Sequence, residues 1–333
     1  MRSYKTVSFS VVILLVTVLF AGVVTVPAAA QYDAMQYRYN AAHTGDYSPV
    51  AGSNMSNGQL TWSFTTGSVV LSSPAVVNGV VYVGSEDNNV YALNATTGAK
   101  VWTFATGNAV LSSPTVANGV VYVGSDDNNT YALNATTAAK LWNYTTRAAV
   151  LSSPAVANGV VYVGSDDNNT YALNANNGTK LWNYTTGNAV LSSPAVANGT
   201  VYVGSQDNNT YALNATTGAK LWNYTTGGGV YSSPAVANGT VYVGSEDNNV
   251  YALNATTGIK LWNDTTGSEV FSSPAVANGT VYVGSFDSYV YAIGNAAAAT
   301  SQRATSGFEV TLVFVGLVFV GLVIAAYVVR RKR

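Results

Sequence analysis

Residues 211–227 read YALNATTGAKLWNYTTG, and close copies of this stretch recur along the chain. Trp stands at 62, 102, 142, 182, 222 and 262, and a Ser-Ser-Pro triplet at 72–74, 112–114, 152–154, 192–194, 232–234 and 272–274. The repeat is 40 residues without an insertion, a period shared by propeller blades and helical arrays. Local pattern separates the two. The words SSPAVANG, VVYVGS, NTYALNA and KLWNYTT are short and rich in Val, Tyr, Thr and Trp. Asn-Gly, Asp-Asn-Asn and Thr-Thr-Gly punctuate them, as turns between strands require. No stretch between Gln31 and Asn295 sustains a helical period. Four strands per repeat predict an all-β chain folded as a β-propeller of four-stranded antiparallel blades.

The ends of the array bear on closure. The last repeat supplies three strands, at 272–277, 280–285 and 289–294, whereas the first strand-like word is a lone fourth strand, LTWSFTT, at 60–66. If these pair, six blades close into a ring with no exposed edge. Weak strand patterning in 32–58 leaves seven or eight blades as the alternative.

Each word has a physical reading. Tyr211 and Leu213 alternate with Ala212, as in a strand packed between neighbouring blades. Asn214 can bond its own backbone two residues on, and Gly218 can take a positive φ to turn the chain. Trp222 offers a flat face to the next blade and one N–H to satisfy. Trp62, Trp102, Trp142, Trp182, Trp222 and Trp262 are therefore read as docking residues between blades, not as a cofactor stack.

ALNATTGAKLW resembles the tryptophan-docking motif of quinoprotein-type propellers, Ala-x-Asp-x-x-Thr-Gly-x-x-x-Trp, with Asn in place of Asp. SSPAVANGVVYVGS and the N-terminal QYRYNAAHTGDYSP are also similar to the pyrroloquinoline-quinone-repeat family, over residues 36–294. The resemblance implies that Trp and the Thr-Gly turn lock successive blades into a girdle. Enzymatic members of that family pass electrons from alcohols or sugars to a bound quinone beside a metal ion. Their sites use long inserted loops, carboxylate and amide metal ligands, a catalytic Asp and often a vicinal disulfide. Other members, such as the outer-membrane assembly lipoprotein, use the ring as a scaffold. This chain has no Cys, no insertions and nearly identical copies, so it is expected to be non-catalytic, with pyrroloquinoline quinone and calcium as the less favoured alternative.

Composition narrows the function further. The chain has 333 residues, 48% of them hydrophobic and 9% charged, and a formal net charge of −1. No basic field is available to hold nucleic acid. The absence of Cys removes disulfides, thiolate nucleophiles and Cys-ligated metals together. MRSYK, a long apolar run and PAAAQ predict a signal peptide over 1–30 with cleavage after Ala30, or an uncleaved N-terminal membrane helix. Residues 31–58 form a lead-in, 59–294 the propeller and 295–309 a spacer. The apolar run 310–329, about 20 residues at ~1.5 Å each, is long enough to cross a ~30 Å hydrocarbon core. Residues 330–333, RRKR, then stay on the cytoplasmic side. SGFEV followed by this helix and RRKR resembles the archaeal PGF-type surface-sorting signal, with Ser306 in place of Pro and Gly307 and Phe308 retained. The propeller is expected outside the cell, anchored at the C-terminus to the outer face of the membrane or envelope.

Candidate site residues lie where second-to-third-strand hairpins share a face with the links between blades. Asp87, Asp127, Asp167, Asp207, Asp247 and Asp287 recur in the hairpin. They read either as turn caps or as a carboxylate ring that attracts a cation or a basic partner segment. Arg147, Glu269 and Phe286 break the symmetry of that face, through recognition of a partner or through drift between copies. Sequons place candidate glycans at Asn94, Asn134, Asn143, Asn183, Asn198, Asn214, Asn223, Asn238, Asn254, Asn263 and Asn278; Asn54, Asn128, Asn168, Asn177 and Asn208 also qualify. The one histidine, His43, has no second His or Cys to join it as a metal site or a catalytic base. The expected function is a surface-anchored binding or scaffold module for a protein or an envelope polymer. The alternatives are a quinone- or metal-dependent dehydrogenase and a structural glycosylated envelope component.

Overall fold

The computed structural model describes residues 58–294 together with Asn40 and His43. The predicted signal peptide, spacer, transmembrane helix and basic tail lie outside the described residues, as does most of the lead-in. Among the described residues no helix is long and apolar enough to cross a membrane.

The described residues hold twenty-three strands, β1 to β23 in chain order, in six antiparallel sheets. The first sheet is β1 (Ala75–Val77), β2 (Val80–Gly84), β3 (Asn89–Asn94) and β4 (Lys100–Ala105), paired in sequence order. Four further sheets repeat it at intervals of one unit. The sixth has three strands, β21 (Ala275–Ala277), β22 (Thr280–Gly284) and β23 (Val290–Gly294). This is the all-β, six-bladed arrangement expected from the repeat.

Local chemistry sets each blade. Asn78 and Gly79 both take positive φ, 50° and 75°, the geometry that joins two twisted strands tightly. In Ser-Ser-Pro the two hydroxyls have different tasks. Ser112 Oγ accepts from Gly124 N within its blade, at 2.9 Å, whereas Ser113 N donates to Ser153 Oγ of the next, also at 2.9 Å. The second contact recurs from Ser73 to Ser113, Ser153 to Ser193, Ser193 to Ser233 and Ser233 to Ser273. A chain of serine hydrogen bonds thus follows the innermost strands from blade to blade.

Outside that chain lies the apolar core between blades. Tyr122, Ala132, Trp142 and Val150 of the second blade pack on Val156, Val161, Val163, Tyr171 and Leu173 of the third. Trp142 Nε1 donates to Ala175 O at 2.9 Å, and Tyr122 Oη donates to the same oxygen at 3.2 Å. The indole also explains the turn glycine. Gly178 has φ +73°, and a Cβ there would stand 2.7 Å from Trp142. Ala138 occupies the same place opposite Trp102, at φ 61°.

Closure differs from expectation. Residues 60–66 do not pair with β23 and stay on the first blade instead. Trp62 Nε1 donates to Ala95 O at 3.0 Å, and Phe64 meets Tyr91 edge-on at 5.4 Å. Among the described residues the sixth sheet therefore has three strands, and β23 is its unpaired edge.

Two substitutions test this packing. Thr170 Oγ1 is buried without a protein partner, and the matching residues Val90 and Val250 are fully buried. Thr170→Val is expected to stabilise the fold by about 1 kcal/mol, since an unpaired buried hydroxyl is removed at constant shape. Ala138→Gly is expected to stabilise it by up to about 1 kcal/mol by relieving the left-handed backbone. Thermal melts of the two variants check both.

Candidate functional site at the hairpin-and-link face

The six hairpin aspartates occupy one geometry. Asp127 Oδ2 accepts from Tyr131 Oη at 2.7 Å and from Gly107 N of the preceding link at 2.6 Å, and its Oδ1 accepts from Asn129 N at 3.0 Å. Asp87, Asp167, Asp207, Asp247 and Asp287 accept from the corresponding tyrosine and link amide. Each carboxylate therefore caps its own hairpin and ties it to the link before it. Burial alone would raise the Asp167 carboxyl, but the hydrogen bonds from Tyr171, Arg147 N and Asn169 hold it below the usual value. Burial and the Asp87 carboxylate push Tyr91 up to about 12.

The residue before each aspartate behaves differently. Glu86, Asp126, Asp166, Gln206, Glu246 and Phe286 each donate a backbone N–H to a link carbonyl, at 2.9–3.0 Å. Burial raises the Asp126 carboxyl, with Asp127 and Glu86 adding to it; burial raises Asp166, with Asp126 and Asp167 adding. Glu86, Asp126 and Asp166 thus follow one another round the face as an acidic arc. One oxygen of Asp126 and one of Asp166 are buried without a protein hydrogen bond.

On the later blades the arc gives way to aromatic rings. Phe286 packs at 4.6 Å against Phe271 with the rings tilted by 52°, and Phe271 meets Tyr231 edge-on at 4.8 Å. Phe286 is 68% exposed. Phe286 N donates to Glu269 O at 3.0 Å, so these two symmetry-breaking residues are neighbours. Glu246 closes on the same region through Gly229 N, at 3.0 Å. Arg147 is not part of this group. It lies at the link into the third blade, where it lines a cavity of about 430 Å³ with Asp167, Asn169, Lys180 and Asn183. Tyr231 and Phe271 escaped the sequence reading. Their signal is the residue before Ser-Ser-Pro, which is Leu at 71, 111, 151 and 191 and aromatic only in the last two repeats.

His43 is a second symmetry break. It is fully buried, and its Nε2 lies 2.8 Å from Thr115 Oγ1, which itself donates to Pro154 O at 2.6 Å. With that proton committed, Thr115 accepts from His43 Nε2–H. The other repeats have Ala75, Ala155, Ala195, Ala235 and Ala275 in place of Thr115. His43 is thereby tied to the innermost strand of the second blade.

The candidate sequons fall into two environments. Asn94, Asn134, Asn214 and Asn254 use Oδ1 to cap the Thr-Thr turn that follows them. Asn143, Asn183, Asn223 and Asn263 stand exposed on the outer strands, each donating to an Asn on the neighbouring strand. Asn198, Asn238 and Asn278 are exposed in the hairpins between first and second strands.

Blades locked by indole-to-carbonyl docking define a PQQ-repeat β-propeller. The family model described as outer membrane protein assembly factor BamB matches residues 46–155, 86–194 and 185–294, and the chain belongs to that family. No curated protein matches the sequence. Several solved structures share the fold. The computationally designed Ika8 protein aligns with a TM-score of 0.62 at 18% identity, over 67% of this chain and 70% of that one. BamB from Moraxella catarrhalis aligns at 0.50 and 19% identity, over 71% and 88%. The quinohemoprotein alcohol dehydrogenase ADHIIG from Pseudomonas putida HK5 aligns at 0.62 and 16% identity, over 79% of this chain and 57% of its own. At these identities the likeness concerns fold.

The two kinds of carboxyl make opposite predictions. Asp167, held low, stabilises the fold above the usual carboxylate range and stops doing so as pH falls through its folded value. Asp167→Asn is expected to lower Tm at pH 7, with the deficit shrinking in acid. Asp166, held high, destabilises increasingly as pH rises from the usual range through its folded value. Asp166→Asn is expected to raise Tm at pH 7 and to be neutral below about pH 4. Melting curves across pH 3–8 check both.

Proposed function

We propose that the protein is a non-catalytic binding propeller, exported and held at the outer face of the membrane or envelope, whose recognition surface is the hairpin-and-link face. The observation that carries this reading is the aromatic step Tyr231–Phe271–Phe286 beside Glu246 and Glu269. Repeats that otherwise agree depart from one another there. An exposed, partly stacked ring flanked by carboxylates offers apolar area and hydrogen-bond acceptors together, which suits a protein segment or a sugar-bearing envelope polymer. The BamB-like family match supports a scaffold role.

The dehydrogenase reading has a specific difficulty. Pyrroloquinoline quinone is a tricarboxylate, and Glu86, Asp126 and Asp166 carry charge of the same sign across the face. Burial, with the neighbouring carboxylates adding to it, raises Asp126 and Asp166, so a further anion beside them is disfavoured. Among the described residues no three His, Cys, Asp or Glu side chains are placed to hold a metal ion. The charges of the arc weigh against a tricarboxylate on this face.

Photo-cross-linking on intact cells tests the proposal, with probes at Phe286 and Glu269 and a control probe on an outer strand at Asn223. The expected result is a discrete adduct from the first two positions, reduced at least tenfold by Phe271→Ala. Adducts of equal yield from all three probes would favour a structural envelope component. Stoichiometric binding of pyrroloquinoline quinone with calcium, coupled to dye-linked alcohol oxidation, would replace the proposal with the dehydrogenase.

A further inference from the structure

The junction between blades is made five times within the chain, and its two halves also exist unmated at opposite ends. On the sixth blade, the surface that earlier blades bury is open. Tyr82, Tyr122, Tyr162 and Tyr202 donate to alanine carbonyls of the next blade, but Tyr282 at the same position is 43% exposed. Val90 and Val250 are fully buried, whereas Val290 is 79% exposed. The edge strand β23 offers a row of backbone donors and acceptors, since the sixth sheet has no fourth strand among the described residues. The chain that follows carries no docking indole, for Gln302 stands one repeat after Trp262.

The missing half stands before the first blade. Residues 60–66 occupy the place of a fourth strand belonging to a preceding blade, with Trp62 docked on Ala95 O as Trp102 is on Ala135 O. That strand has no ladder partner either, and Leu60 is 84% exposed. The serine chain likewise ends at Ser273, short of Ser73.

We propose that the uncovered face of the sixth blade binds the first blade of a second copy of this chain. β23 pairs with residues 60–66 of that copy, which become its fourth strand. Tyr282 Oη then donates to Ala95 O of the second copy, and Ser273 N to its Ser73 Oγ, the tyrosine contact made at four junctions and the serine contact made at all five within the chain. The contact is heterologous, so a pair of copies retains one free half of each kind, one on each copy, and addition continues until a ring closes or a filament grows.

The full chain lacks cysteine, so an engineered pair can report on this contact without background. Thr65 and Tyr289 correspond to Ala105 and Asn89, which are paired across β3 and β4. The doubly substituted chain, Thr65→Cys with Tyr289→Cys, is expected to yield reducible dimers and longer oligomers under mild oxidation. Each single substitution alone is expected to leave monomer, and a mixture of the two to give a dimer. Light scattering of the unmodified chain in detergent should show a mass that rises with concentration. Tyr282→Lys should reduce it to the monomer while leaving the circular dichroism unchanged. A cross-link confined to the monomer would mean that the chain closes on itself, and the proposal would fail. It would fail equally if the single-site chains dimerised as well as the mixture, or if the unmodified chain stayed monomeric at every concentration.

Discussion

The structure depends on an alanine carbonyl that receives two side chains from the blade before it. At four junctions a tryptophan Nε1 and a tyrosine Oη converge on one oxygen, using both of its lone pairs. The polar ends are thereby satisfied where the rings are buried, so the indole and phenol contribute their apolar area without an unpaired group. Burial at ~25 cal/mol per Å² makes each indole a large term. The turn glycine follows from the same contact, because a Cβ opposite Trp142, Trp182 or Trp222 would meet the ring at 2.7 Å.

Repetition of that contact divides the molecule into parts that cannot vary and parts that can. The tryptophans and tyrosines of the junction recur in every copy, as do the aspartates that tie hairpin to link. The side chains of the residue before each aspartate and of the residue before Ser-Ser-Pro take no part in the contacts that recur in every copy, and they differ from copy to copy. Substitution there costs little stability, and Glu86, Asp126, Phe271 and Phe286 are found at such positions. The acidic arc and the aromatic step are consequences of that freedom, distributed over different blades of one face.

An array built from one junction also has an intrinsic problem at its ends. Every blade presents one half of the contact and accepts the other, so an array that has not met itself leaves a half of each kind in solvent. Tyr282 and Val290 at one end and residues 60–66 at the other are those halves. Their complementarity comes from duplication of the unit.

Much of this was legible in the chain itself. The recurrence of Trp and Ser-Ser-Pro, with β-rich words between turn residues, determined an all-β array of six blades and the docking place of each indole, because periodic burial needs periodic residues. The hairpin face and the departures from the repeat at Glu269 and Phe286 could be read there too. What tertiary structure alone decided was which departures meet. It joined Phe286 to Phe271 and Tyr231 and separated Arg147 from them, it turned the recurrent aspartates to their own tyrosines, and it placed His43 against Thr115. It also kept residues 60–66 on the first blade. Pairing between residues far apart in sequence depends on the rotation accumulated over successive junctions, and no local pattern records that sum.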